Sequence, residues 1–158
     1  MKKYVFPSLI TALLMSLPVV SADTMPVNLQ VASAFSVIFE YSTVEFGTLQ
    51  HDTSSNQATG SYSATIDANE DFELTVSGFD FMGSVENITI DHLKIDSDVA
   101  EVNLAVENAT AFSETPTVIE TPIDKSVTSH YHMYWVDVPE NQAPDTYQAS
   151  ITLEYSVV

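Results

Sequence analysis

The histidine pair His130 and His132 has the spacing in this chain that most resembles a metal site. Residues two apart on a strand project from the same face, so both imidazoles are available to one ion. A third ligand would have to be His92 or His51, and nothing in the sequence places either beside the pair. The more ordinary interpretation is that the pair is exposed among the aromatic residues of the same stretch.

Two acidic connections offer oxygen ligands for a hard cation. Calcium accepts carboxylate and carbonyl oxygens from loops of this kind, although neither connection has the twelve-residue spacing of an EF-hand. We therefore expect either calcium sites or solvated acidic turns, and no cofactor is required. The calcium candidates are Asp67, Glu70 and Asp71 in the first connection and Asp96, Asp98 and Glu101 in the second.

No catalytic motif emerges from the sequence. There is no G-x-S-x-G, and the four glycines lie too far apart for a phosphate-binding or dinucleotide-binding loop. Carboxylates are so abundant that they do not mark a glycosidase pair. We expect a protein that is not an enzyme.

Two sequons are present, Asn87-Ile88-Thr89 and Asn108-Ala109-Thr110. An exported chain can carry glycans at such sites. Asn108 lies at an expected turn, whereas Asn87 lies within an expected strand and needs an outward-facing side chain.

Residues 1–22 have the parts of a secretory signal peptide. Two lysines precede an apolar stretch at 4–17, and Val-Ser-Ala at 20–22 is a small-residue cleavage site. A retained membrane anchor is disfavoured, because Pro7 and Pro18 bracket a run shorter than the ~20 residues that span a bilayer. We therefore predict an extracellular or cell-surface protein with no membrane insertion after cleavage.

The chain is strongly acidic and contains no cysteine. Its 158 residues carry a formal charge of −18, and removal of Lys2 and Lys3 with the signal leaves 22 acids against two lysines, or −20. Nucleic acids and anionic lipids are poor partners for such a surface, because both need cationic groups to neutralise phosphate. Disulfides and cysteine-ligated metals are excluded.

The elements that must position these residues have the period-two alternation of β-strands, and no stretch shows the helical period. Residues 62–66 and 72–76 flank a short turn and predict a hairpin, while 107–129 predict a long loop with an edge strand at 117–120. About eight strands predict an all-β fold, an antiparallel two-sheet sandwich of jelly-roll or immunoglobulin-like type. The alternating runs lie at 35–41, 61–68, 72–79, 85–95, 99–106, 130–138 and 146–157.

The stretch 27–41, VNLQVASAFSVIFEY, alternates over fifteen residues. An ordinary strand has about five or six residues, so we divide the run at the small residues Ala32, Ser33 and Ala34. This predicts a signal peptide at 1–22, an arm at 23–34 and a sandwich domain at 35–158. Either the arm is taken up by another subunit, or it stays on its own domain, bent at the hinge.

Several segments resemble secreted β-sandwich fibre subunits of the TasA/camelysin type and of the archaeal bundling-pilus and cannula type. They are VEFGTL (44–49), NQATGSYSATIDANEDFELTVSGFDF (56–81), NITIDHLKI (87–95) and VPENQAPDTYQASITLEYSV (138–157). The last departs from the family pattern, because Pro144-Asp145 replaces the usual Ala-Gly before Thr146-Tyr147.

The resemblance implies a subunit of an extracellular filament or matrix that binds copies of itself by donor-strand complementation. In that assembly an extended segment of one subunit adds a strand to the next. The donor side chains would be Val27, Leu29 and Val31. The alternative is a monomeric secreted module that binds carbohydrate or a metal ion through loops or the aromatic and histidine cluster near Trp135.

Overall fold

The computed structural model describes residues 29–158, and residues 32–158 form one compact unit. The predicted all-β, antiparallel two-sheet sandwich is confirmed. Two short 3₁₀ helices lie at Ile90–His92 and Glu101–Asn103. The strands are β1 Phe35–Phe39, β2 Thr53–Gln57, β3 Tyr62–Ala68, β4 Phe72–Gly78, β5 Phe81–Met82, β6 Asn87–Ile88, β7 Leu93–Asp98, β8 Thr110–Ala111, β9 Thr117–Ile123, β10 Ser129–Val138 and β11 Ile151–Val157.

The larger sheet is organised around the ten-residue strand β10. Its strand order is β1-β3-β10-β7-β8, with β2 also paired to β10. The first four residues of β10 pair with β3, and residues near its carboxyl end pair with β2. Its other edge pairs with β7 from Tyr131 to Val136. Long, regular pairing on both sides makes β10 the centre of this sheet.

The smaller sheet has the order β11-β4-β9, and β5 pairs with β6 in a separate short ribbon. β4 and β11 pair without interruption from Phe72 opposite Val157 to Gly78 opposite Ile151. Alternate residues of β4, namely Phe72, Leu74 and Val76, are fully buried, as expected for a strand with one face in the core.

The core lies between the two sheets. Phe72 packs 5.6 Å, centroid to centroid, from Phe35 of β1, and Phe39 at the other end of β1 lies 6.0 Å from Tyr155 of β11. The edge strand β1 of one sheet therefore lies over β11 and β4 of the other.

The predicted hairpin at 62–76 is wrong. β3 pairs with β1 and β10, whereas β4 pairs with β11 and β9, so the turn at 69–71 carries the chain from one sheet to the other. A short turn of this kind can join partners in one sheet or cross between two, and local sequence does not distinguish them.

Four other local predictions also need correction. The expected strand at 99–106 contains the 3₁₀ helix and a turn, because Asp98 Oδ1 accepts hydrogen bonds from Ala100 N and Asn103 Nδ2 and curls the chain. The expected loop at 51–60 contains β2. The last strand begins at Ile151 rather than near residue 146, and the edge strand β9 is longer than predicted.

Within residues 29–158, no helix has both the length and the apolar character needed to cross a membrane.

Truncating a β4 core residue tests this packing. Leu74 is 0% exposed in the central strand of the smaller sheet, so Leu74→Ala should lower the free energy of unfolding by about 2–5 kcal/mol. Val102 is 92% exposed, and Val102→Ala should change it by less than about 0.5 kcal/mol. Urea titration followed by tryptophan fluorescence measures both, and equal effects would contradict the placement of the core.

Candidate functional site

A large groove opens at one end of the sandwich, with a volume of about 1470 Å³. One wall is the segment 41–51 that follows β1, and another is the segment 142–153 that leads into β11. The side chains of Phe81 and Val136 also line it. Its apolar lining is only partly buried and packs against the core. These residues include Tyr41, Val44, Phe46, Leu49, Phe81, Ala149, Ile151 and Leu153.

The 41–51 wall lies outside the main sheet ladder. Its backbone forms one isolated bridge, between Glu45 and Thr59, and Tyr62 Oη accepts a hydrogen bond from Glu45 N. Gly47 has a φ of +68°, a left-handed conformation that glycine adopts without steric cost. The segment therefore forms a wall of the groove without filling it with a strand.

The strand β11 has a free edge beside this groove. In the part of the chain that the structure describes, β11 pairs with β4 alone. Phe79 N donates to Ser150 O, and Val158 N donates to Asp71 O. Because hydrogen-bonded pairs alternate along an antiparallel ladder, the even-numbered residues of β11 face β4. The backbone groups of Ile151, Leu153, Tyr155 and Val157 then point outward, available to another strand.

The predicted donor residues lie only partly within the described chain. Leu29 and Val31 are 86% and 73% exposed, and neither is in a regular element. Val27 and the predicted signal peptide lie outside the described residues. The donor role of all three side chains stays a prediction.

A chain of buried polar side chains crosses the core close to the groove. His130 and His132 are 0% and 1% exposed, so the expectation that they are exposed is wrong. The prediction that they share a face is correct, and this face is turned inward. The connected groups, in order, are Glu120, His130, Tyr155, His132, Tyr41 and Tyr134.

The first half of this chain has one consistent arrangement of protons when both imidazoles are neutral. The Glu120 carboxylate can only accept, so His130 Nε2–H donates to it over 2.9 Å. His130 Nδ1 is then an acceptor, and Tyr155 Oη donates to it over 2.6 Å.

The second half continues in the same direction. The single hydroxyl proton of Tyr155 is donated to His130, so the Tyr155 oxygen accepts from His132 Nε2–H over 2.7 Å. His132 Nδ1 accepts from Tyr41 Oη, whose oxygen accepts from Tyr134 Oη over 2.6 Å. Every donor in the chain has an acceptor, and Tyr41 also lines the groove.

Burial favours the neutral forms of His132 and of the three tyrosines. Burial, aided by the nearby His130, lowers the pKa of His132 to about 3. Burial raises the pKa of Tyr41 to about 12 and raises those of Tyr134 and Tyr155 well above the ordinary phenol value. All four ring nitrogens of the two imidazoles and all three phenol hydroxyls take part in these hydrogen bonds, so neither histidine can bind an ion without losing one of them.

The first set of acidic candidates lies around the turn between β3 and β4. Asp67 is in β3, Glu70 is in the turn, and Asp71 accepts a hydrogen bond from Lys125 N. All three side chains are exposed.

The second set is engaged inside its own connection. Asp96 accepts a hydrogen bond from Ala105 N, and Asp98 accepts one from Ala100 N. Glu101 accepts one from Ser61 Oγ. Between residues 29 and 158, no group of three or more histidine and carboxylate side chains is placed to hold a metal ion. Calcium binding stays a prediction.

Both sequon asparagines are exposed, Asn87 in β6 and Asn108 in a turn. The outward face that Asn87 needed is therefore present, and glycosylation at either site stays a prediction. Tyr134 and Trp135, in contrast, are buried, which removes them as an exposed surface on which a sugar could stack.

No protein-family model matches this sequence, and comparison with curated proteins gives no match.

The buried His132 predicts a specific loss of stability in acid. The unfolded chain binds a proton at this residue near pH ~6.5, whereas the folded chain binds one only near pH 3. Between these values the unfolded state holds more protons, so the free energy of unfolding should fall by about 1.4 kcal/mol per pH unit as pH decreases. Urea titrations across this pH range measure the slope.

Two variants isolate this contribution from that of the many carboxylates. His132→Gln should have a smaller slope, because it removes the titrating group. His51→Gln removes an exposed histidine and should keep the wild-type slope. Identical slopes in wild type and His132→Gln would show that His132 is not buried in its neutral form.

Proposed function

We propose that this protein is a non-enzymatic subunit of an extracellular surface filament or matrix, assembled by donor-strand complementation. In this proposal the arm at 23–31 of one copy enters the groove of the next. The observation that carries the proposal is the open apolar groove beside the free edge of β11.

The arm and the groove match in pattern. Val27, Leu29 and Val31 are spaced by two, and so are Ile151, Leu153 and Tyr155 along β11. A strand added to β11 would form main-chain hydrogen bonds with the outward backbone groups, while its alternate side chains entered the partly buried lining. Pro26 has no N–H and immediately precedes this register, so it would not interrupt the ladder.

The other edge of the smaller sheet is poorly suited to this role. β9 contains Pro122, and its pairing with β4 is irregular at two places. Proline and bulges are devices that protect an edge against added strands. β11 has seven residues in regular register and no proline, so the accessible edge is the one at the groove.

The size and lining of the groove favour a polypeptide over a small molecule. Its volume of about 1470 Å³ exceeds the ~300–1,000 Å³ of ordinary ligand pockets. The net charge of −20 on the secreted chain argues for a contact made by apolar side chains and backbone, since two such surfaces repel each other. Export and the exposed sequons are consistent with this extracellular role.

Removing the arm should separate folding from assembly. The chain that begins at residue 32 should fold and remain monomeric, because it keeps the groove and has no donor. The chain that begins at residue 23 should form polymers in size-exclusion chromatography and negative-stain images. Polymers of the same form from both chains would rule out donor-strand complementation.

A single substitution in the arm gives a sharper comparison. Leu29→Asp places a charge at an inward position and should raise the concentration required for polymerisation at least about tenfold, since a buried leucine contributes about 1.5–3 kcal/mol. Gln30→Asp adds the same charge one residue away, on the outward face, and should change it much less. Light scattering across a concentration series measures both, and equal effects would contradict the alternating insertion.

A further inference from the structure

Asn69, in the turn between β3 and β4, holds the chain at the point where the arm begins. Asn69 N donates to Ala34 O over 3.1 Å, which extends the pairing of β1 with β3 by one residue. Its side chain forms two more hydrogen bonds: Oδ1 accepts from Ala34 N and Nδ2 donates to Ala32 O, each over 2.8 Å. Residues 32–34 are therefore held beside the turn between β3 and β4, past the end of β1.

We call the three hydrogen bonds from Asn69 to Ala32 and Ala34 the clamp. The clamp and the groove are at opposite ends of the sandwich. In the larger sheet, Phe35 pairs with Ala68 beside Asn69, whereas Phe39 at the other end of β1 lines the groove. In the smaller sheet, the end of β11 at Val157 pairs with Phe72 next to the turn, whereas its beginning at Ile151 lines the groove. The arm thus leaves at the end of the sandwich opposite the groove, beside the carboxyl end of β11.

An arm folded back along β1 of its own chain would run antiparallel to that strand. With the turn centred on Ser33, Val27 would lie opposite Phe39, and Leu29 opposite Val37. The donor side chains would then reach only the start of the groove. This arrangement also requires the three Asn69 hydrogen bonds to break, because Ala32 and Ala34 would flank the turn.

With the clamp intact, the turn has to occur before Ala32. If Leu29 lies opposite Ala32, then Val27 lies opposite Ala34, and all donor side chains stay at the Asn69 end. At about 3.3 Å per residue, the five residues from Ala34 to Phe39 separate them from the groove by roughly 17 Å.

We infer that Asn69 is a positioning residue that makes arm docking intermolecular: it directs the arm away from its own groove and toward a second copy of this chain. The inference rests on the proposed donor-strand assembly and adds the residue that selects the partner. The hinge predicted at residues 32–34 is accordingly a fixed exit.

Asn69→Ala removes both side-chain bonds and leaves the backbone bond. Because two hydrogen bonds are lost, the ratio of folded-back to extended arms should rise about fivefold or more. The concentration required for polymerisation should rise with it. Asn69→Asp keeps the acceptor for Ala34 N and loses the donor to Ala32 O, so its effect should be intermediate. Asn108→Ala, the same change at an exposed turn asparagine, is the matched control.

The absence of cysteine allows a direct readout of where the arm lies. Gln30→Cys with Ser36→Cys in one chain reports a folded-back arm, since these positions are opposite each other around Ser33 and Ser36 is exposed. Gln30→Cys in one chain mixed with Thr152→Cys in another reports docking on β11 of a second copy. Non-reducing electrophoresis after mild oxidation separates the intrachain product from the linked dimer.

We expect the linked dimer to predominate with Asn69 and the intrachain product to increase in Asn69→Ala. A merely structural role would lower the unfolding midpoint of residues 32–158 without changing this ratio. If wild type and Asn69→Ala polymerise at the same concentration with the same ratio, the inference is wrong and the proposed assembly stands.

If the wild-type chain never polymerises, the proposed assembly is wrong, and the intrachain reporter still decides the role of Asn69. An intrachain product that increases only in Asn69→Ala supports the directing role. Equal amounts in both chains overturn it.

Discussion

The sandwich depends on burying two imidazoles and three phenols with every proton assigned. A buried polar group without a partner costs about 1–3 kcal/mol, so such a set is tolerated only when it is complete. Here the Glu120 carboxylate on β9 fixes the direction of hydrogen-bond donation at one end of the network. The same direction of donation continues through side chains of β10 and β11 to Tyr41. Among the side chains of residues 29–158, no buried nitrogen or oxygen lacks a hydrogen-bond partner. The two sheets are thereby held in one relative register, and the wall of the groove is attached to the same network.

The parts of the fold visible in the sequence were those set by alternation alone. β4, β10 and β11 alternate along most of their length, and the two-sheet class follows from them. The sequence did not show which strands pair with each other, because the turn at 69–71 is equally compatible with a hairpin and with a crossing from one sheet to the other. β2 has the sequence TSSNQ and no apolar residue; it is a strand because it pairs with β10 and Asn56 Nδ2 donates to Val136 O. Tertiary pairing decided these elements.

The candidate site likewise combines features that the sequence suggests with features that depend on tertiary structure. The arm is predicted from alternating side chains in one continuous segment, and its donor role stays a prediction. The groove could not be predicted, since it is bounded by segments separated by about a hundred positions. The histidine pair shows a related limit: its shared face follows from spacing, whereas its burial depends on Tyr155 and Tyr41, which lie 23 and 91 positions from His132.

In the proposed assembly, an arm exit and a groove at opposite ends of each subunit would give the polymer a polarity and a valence of two. Each copy would engage one neighbour with its arm and another with its groove, so growth would be linear and unbranched, and it would not close unless the rotation between neighbours returned to its start. The two termini of the polymer would be chemically different, one ending in an empty apolar groove and the other in an unused arm. A copy that lacked the arm would still accept a donor and would therefore act as a chain terminator, which sets polymer length through the ratio of the two forms.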